Sequence, residues 1–267
     1  MALVREPAVA GLFYPGAADR LEAQVTELLE AASKAGTPSG AAPKALIAPH
    51  AGYQYSGQTA AAAYAALAGG RYDRVVLAGP CHRVGTPFTA LAGASGFRTP
   101  LGVVPVWEEG AARAAALPQV VTSPEVHALE HSLEVHLPFI QVALGRDTPV
   151  LPLAVGWSEP SDVAEVLDTL WGGPETLVVV SSDLSHYQPY AEAVPTDLVT
   201  AGQIIACGPP LTGDQACGAH PINGLLKVAV RRGLSGHLID YRNSGDTAGD
   251  ESSVVGYAAI AFEEETE

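Results

Sequence analysis

The chain has 267 residues, 48% of them hydrophobic and only 16% charged, which suits an ordered, compact α/β protein with a substantial core and little linker, and excludes a largely disordered chain. Fourteen Lys and Arg stand against 29 Asp and Glu, a formal charge of -15, so a basic groove for nucleic acid or a cationic face for anionic lipid is not expected. No apolar run approaches the roughly 18 residues of a membrane span, and MALVREPAVAGLFYPG lacks the unbroken apolar core of a signal peptide, so a cytoplasmic location is expected.

In chain order, ADRLEAQVTELLEAA carries Leu21, Val25, Leu28 and Leu29 at helical spacing, and SKAGTPSGAAP after it reads as a loop. KALIAP is a buried strand, SGQTAAAAYAALAG a helix and RVVLAGP a second strand. This βαβ order predicts a parallel pair, with His50 and His82 on neighbouring rims. PFTALA and GVVPVW read as short strands. SPEVHALEHSLEVHLPFIQVAL reads as one long helix interrupted only at Pro138, and PVLPLAVG as another strand. EPSDVAEVLDTLWGG is a helix with Ser161 as candidate N-cap, and TLVVVSS is the strongest strand signal. AVPTDLVTAGQIIA and HPINGLLKVAVRRG are helices, and HLIDYR and SVVGYAAIAF close the chain as strands. The pattern predicts one three-layer α/β/α domain over residues 1–267, with a mixed, mostly parallel central sheet.

Four apolar runs break off in metal-binding residue types. ALIAPHAG delivers His50, VVLAGPCHR delivers His82, LVVVSSDLSHY delivers Asp183 and His186, and QACGAHP delivers Cys217. Groups at the carboxyl ends of strands in an α/β sheet converge on one rim, so a site for a single metal ion is expected there. Each histidine alone reads more readily as one that satisfies a buried turn than as a ligand; the repeated strand, turn and His grammar favours ligation for the pair.

Asp183 and His186, three apart, share a face if the segment turns helical. Asp183 is then a ligand, an orienter of imidazole or a helix cap, and His186 a third nitrogen ligand or a general base. Cys217 precedes a predicted helix, whose N-terminus is expected to lower the thiol pKa. Cys207 suits a buried apolar role, and three cysteines without a CxxC support no disulfide framework. EHSLEVH fits neither H-E-x-x-H nor H-x-x-E-H, so a zinc peptidase is rejected; on a helix His127 and His131 share a face, and His131 can point an acid or base into the pocket. Ser182, Asp183 and His186 lack a GxSxG elbow, which argues against a serine hydrolase.

REPAVAGLFYP, PHAGYQYSG, GPCHR, EHSLEVHLPF, SSDLSHY, CGAHPINGLL and GDESSVVGYAAIAF, taken in order, resemble the blocks of the Memo-like family, called AmmeMemoRadiSam system protein B in prokaryotes. That family is similar in fold to the class III, LigB-type extradiol dioxygenases. The resemblance implies His50, His82 and Cys217 as metal-pocket residues, with Asp183 and His186 beside them and His186 and His131 as proton-moving histidines. A cysteine replaces the carboxylate of the dioxygenases, which shifts the implied ion from Fe(II) towards Cu(I) or Zn. The implied activity is a metal-dependent redox reaction on a small aromatic or chelating substrate; a non-catalytic adaptor of the Memo type and a Zn-dependent hydrolase are the alternatives. The family name adds a radical SAM enzyme and an AMMECR-type protein as implied partners.

Overall fold

The computed structural model describes residues 3–36 and 42–264. In chain order the elements are β1 (Val4–Arg5), α1 (Ala18–Ala35), β2 (Ala45–Ala48), α2 (Tyr53–Ala65), β3 (Arg74–Pro80), β4 (Thr89–Leu91), β5 (Gly96–Thr99), β6 (Gly102–Pro105), α3 (Glu108–Ala115), β7 (Val120–Thr122) and α4 (Pro124–Ala128). There follow a 3-10 turn (Glu134–His136), α5 (Leu137–Ala143), β8 (Val150–Val155), α6 (Pro160–Leu170), β9 (Thr176–Ser181), β10 (His186–Gln188), α7 (Tyr190–Ile205), α8 (Ala219–Arg232), β11 (Leu234–Asn243), a 3-10 turn (Ser244–Asp246) and β12 (Val254–Glu264).

The main sheet runs β10-β12-β2-β9-β3-β8-β4-β7, with β11 also paired to β12. Its centre is parallel: β2 with β9, β9 with β3, and β3 with β8. Antiparallel pairs join β12 to β2 and β4 to β8. A smaller sheet, β1-β5-β6, stands apart. Every residue of β2, β8 and β9 is buried, as expected of strands covered on both faces, and their continuous apolar runs are what made them legible. One core packs α6 and α8 on one face of the sheet through residues such as Leu167, Ile222 and Leu225. The other packs α1, α2 and α5 through Leu21, Tyr64 and Phe139. The result is a mixed α/β fold with a parallel-centred sheet between helical layers. None of the described helices is long and apolar enough to cross a membrane.

Several sequence expectations change. β2 and β3 are parallel but not paired, because β9 lies between them. The segment 123–144 is not one helix: α4 ends at Ala128, residues 129–133 leave the helical path, and Pro138 sits in the first turn of α5, where its missing N–H costs nothing. Ser161 lies inside α6, whose N-cap is Glu159. Residues 182–185 are extended loop rather than helix, so Asp183 and His186 do not share a helical face. Of the loop expected at 33–43, Ser33–Ala35 continue α1, and residues 37–41 lie outside the described residues.

Candidate metal centre

Parallel strands point their carboxyl ends one way, so the three central runs deliver their terminal residues to one rim. Ala48 of β2 is level with Ser181 of β9, and Ala78 of β3 is level with Val180. His50, Asp183 and His82 each follow within two residues of these strand ends. The 129–133 loop crosses the same rim and brings His131. It approaches closely because β3 has no side chain at Gly79, where a Cβ would lie 2.9 Å from Leu133 and 3.1 Å from Ser181. Ser132 Oγ fastens the loop by donating to the Pro80 carbonyl at 2.8 Å.

The ring nitrogens of His50, His82 and His131 offer three donor atoms within 4.8 Å of one another. Ring centroids are 5.1 Å apart for His50 and His82, 5.4 Å for His50 and His131, and 4.7 Å for His82 and His131. Two of the rings have their tautomer assigned by the hydrogen-bond network. Ser181 Oγ donates to the Ser132 carbonyl at 2.7 Å, so it accepts from His50 Nδ1–H at 2.6 Å and leaves Nε2 as a lone pair. His82 Nδ1 donates to Glu130 Oε1 at 3.0 Å, with the same consequence for its Nε2. Glu130 also accepts the amides of His82, His131 and Ser132, so one buried carboxylate bridges two members of the cluster. This is the outer-sphere carboxylate arrangement of metal-ligating histidines.

Burial, reinforced by the neighbouring imidazoles, depresses the His50 pKa, and burial takes His131 to about 4. Both rings are therefore neutral near pH 7, as ligation requires. Burial alone would raise the Glu130 carboxyl. The hydrogen bond and charge of His82, with the amides of Ser132 and His82, outweigh it and hold Glu130 at about 2.

Cys217 adjoins this cluster. Its Sγ lies 3.5 Å from His50 Nε2 and accepts the Asp183 amide at 3.2 Å. The predicted lowering of its pKa is overturned: burial and the nearby Asp183 carboxyl raise the thiol to about 12 despite the start of α8 at Ala219. Asp183 Oδ1 accepts the His50 amide at 2.8 Å, and burial lifts its carboxyl to about 6 against that hydrogen bond. His186 is half-buried and donates Nδ1–H to the Leu184 carbonyl at 2.8 Å, which leaves its Nε2 as the base-competent atom.

His50, His82, His131, Asp183 and Cys217 thus gather at one rim, whereas His127 does not join them. It donates Nε2–H to the Ala90 carbonyl and packs under Phe97. Glu134 is structural: fully buried, it pairs with Arg5 and accepts the amides of Ala8 and Val9 and the Tyr14 hydroxyl. Sequence reasoning missed Glu130 and Ser181. The signal available was an acid directly before His131 and a serine ending the most apolar strand.

The pocket passes a test of fit to a metal ion. His131 Nδ1 is buried, 3.4 Å from Glu130 Oε1 yet without a hydrogen-bond partner, and two neighbouring imidazoles are locked with their Nε2 lone pairs turned from the locking acceptors, that of His50 facing Cys217 Sγ at 3.5 Å. Nitrogen donors with a sulfur alongside suit Zn, copper or iron rather than Mg or Ca. The cluster can therefore hold a single ion.

The Memo-like protein family matches residues 5–261. A MEMO1 family protein of Methanosarcina acetivorans is 36% identical over 276 residues, covering 97% of this chain and 99% of that protein. Others from Aquifex aeolicus and Methanosarcina barkeri are each 35% identical with the same 97% of this chain covered. With a family match over nearly its whole length and relatives aligned from end to end, the chain belongs to the Memo-like protein family.

Proposed function

We propose that the chain is a metal-dependent redox enzyme of the extradiol-dioxygenase type, acting on a small aromatic or otherwise chelating substrate. The observation that carries this reading is the convergence of His50, His82 and His131 donors within 4.8 Å, with Cys217 Sγ beside His50. His50 and His82 are the fixed nitrogen ligands, because each has its Nδ1–H committed to an acceptor. Cys217 completes the set: its sulfur accepts the Asp183 amide, and a bound ion would displace the proton that burial keeps on the thiol. When bound, the ion would supply a Lewis-acidic centre at the rim, redox-capable where it is iron or copper. His131, whose ring has no comparable lock, carries a proton to or from the substrate, and His186 Nε2 serves as base. Asp183 holds the His50 backbone and keeps the Cys217 loop in register.

Metal analysis after anaerobic purification tests the reading first: one ion per chain is expected. No ion and no uptake of Fe(II), Cu(I) or Zn would sink it. Oxygen consumption over a panel of catechols and phenols, lost in His186→Ala, tests turnover; metal binding without consumption would leave a binding protein instead. The ring spacing favours a second ligand set, His50, His82 and His131. The two sets separate cleanly. If Cys217 is the ligand, Cys217→Ser weakens Cu(I) far more than Fe(II), because oxygen is the harder donor, and His131→Ala retains the ion. With three histidines the outcomes exchange.

A further inference from the structure

We propose that β11 is a self-association edge, at which two copies of this chain pair antiparallel about a two-fold axis through Tyr241. The main sheet ends differently on its two sides. One end is the three-residue β7, short enough to offer little to a partner, whereas β11 is ten residues long and its stretch 240–243 forms, among the described residues, a ladder with β12 alone. It contains neither proline nor lysine, residues that commonly blunt such an edge.

Charge selects the occupant. The whole chain carries -15, which opposes contact between copies over most of the surface. β11 is locally neutral, with Asp240 and Arg242 as its only formally charged residues. These two flank Tyr241 and face the α1/α2 side, where Asp240 accepts from Thr59 and bonds Arg242 at 3.0 Å. An antiparallel pair centred on Tyr241 sets Asp240 opposite Arg242 of the second copy, twice by symmetry, and isologous interfaces require this self-complementarity. The same register keeps the acidic end of the sheet away from the axis, since Glu263 and Glu264 lie level with Ser235 and Leu234.

A groove of about 440 Å³ runs beside this edge on the same face, lined by Glu27, Leu28, Ala62, Ile239, Asp240 and Arg242. Arg242 of the second copy would lie over it, with Glu27 and Asp240 as acceptors and the aliphatic floor beneath its stem. The bulge between Leu238 and Asp240 limits the shared ladder to residues 239–243.

Sedimentation velocity of the full chain over a concentration series should show a reversible dimer. Arg242→Glu, which places like charges opposite each other twice, should raise the dimer dissociation constant at least about tenfold. Asp240→Arg/Arg242→Asp, which reverses both charges, should restore association. Amide hydrogen exchange on the unmodified protein reads the same edge without mutation: residues 239–243 should gain protection as concentration rises. A wild type that stays monomeric throughout overturns the proposal, as does a dimer indifferent to Arg242→Glu with no added protection in β11. Protection that arises only on adding an extended peptide of another protein would assign the edge to that partner and likewise overturn it.

Discussion

Glu130 makes four hydrogen bonds through one carboxylate, and two of its partners belong to the candidate metal cluster. Replacing an outer-sphere partner of this kind typically costs about 10–100-fold in metal affinity. Glu130→Ala should therefore lose that much in a chelator competition while His82 remains present, and an unchanged affinity would remove Glu130 from the site's support. The same residue governs an acid limb of stability. Held at about 2 against an ordinary 4.5, it contributes stability that is complete above about pH 4.5 and lost as pH falls towards 2. For metal-free protein, Glu130→Gln should flatten the pH dependence of the urea midpoint within that window; an unaltered slope would contradict the assignment. His50 and His82 were legible beforehand because each follows an apolar strand and a proline. Glu130 was not, since its role depends on a loop folding its carboxylate against amides that no spacing rule connects to it.

At the scale of elements, the longer strands of the sheet and most helices followed from apolar runs and helical periodicity, the short β7, β10 and α3 did not, and the failures have physical causes. The apolar spacing of 123–144 reads as a single helix, yet Glu130 captures the amides of His131 and Ser132, which a continuing helix would need. The pattern shows which residues are buried but not that a local side chain outcompetes the backbone. The order of β2, β9 and β3 was illegible for another reason: adjacency in sequence predicts adjacency in the sheet only as a tendency. The loop carrying Asp183 and His186 depends in turn on β12. Leu184 donates to the Gly256 carbonyl, Gly256 donates to Ser185, and Asp197 of α7 accepts the Ser185 amide. A Cβ at Gly256 would lie 1.9 Å from Asp197 Oδ2. Gly256→Ala should accordingly cost about 1–3 kcal/mol by overpacking and lower turnover more than metal content, because it displaces His186 rather than His50 or His82. Denaturant titration and metal analysis on the same preparation check both halves.

For the whole molecule, a ligand that binds only the folded state stabilises it by mass action. An ion at a free concentration of about 100 times its dissociation constant adds about 2.7 kcal/mol, so the melting temperature should rise with Zn or Fe(II) and the rise should vanish in His50→Ala. A rise that persists in that variant would locate the binding elsewhere.

The position of β9 has a consequence for synthesis. His50 and His82 belong to the first third of the chain, but the strand that lies between theirs begins only at Thr176. A nascent chain halted before that point has two histidine-bearing strands with an empty lane between them. Closing that lane is a long-range event of the slow kind, and β12, which flanks β2 on its other side, follows later still in the chain. Assembly of this rim thereby waits until β9 has been made, and a chain truncated before residue 176 should take up no ion at any concentration that loads the 267-residue chain.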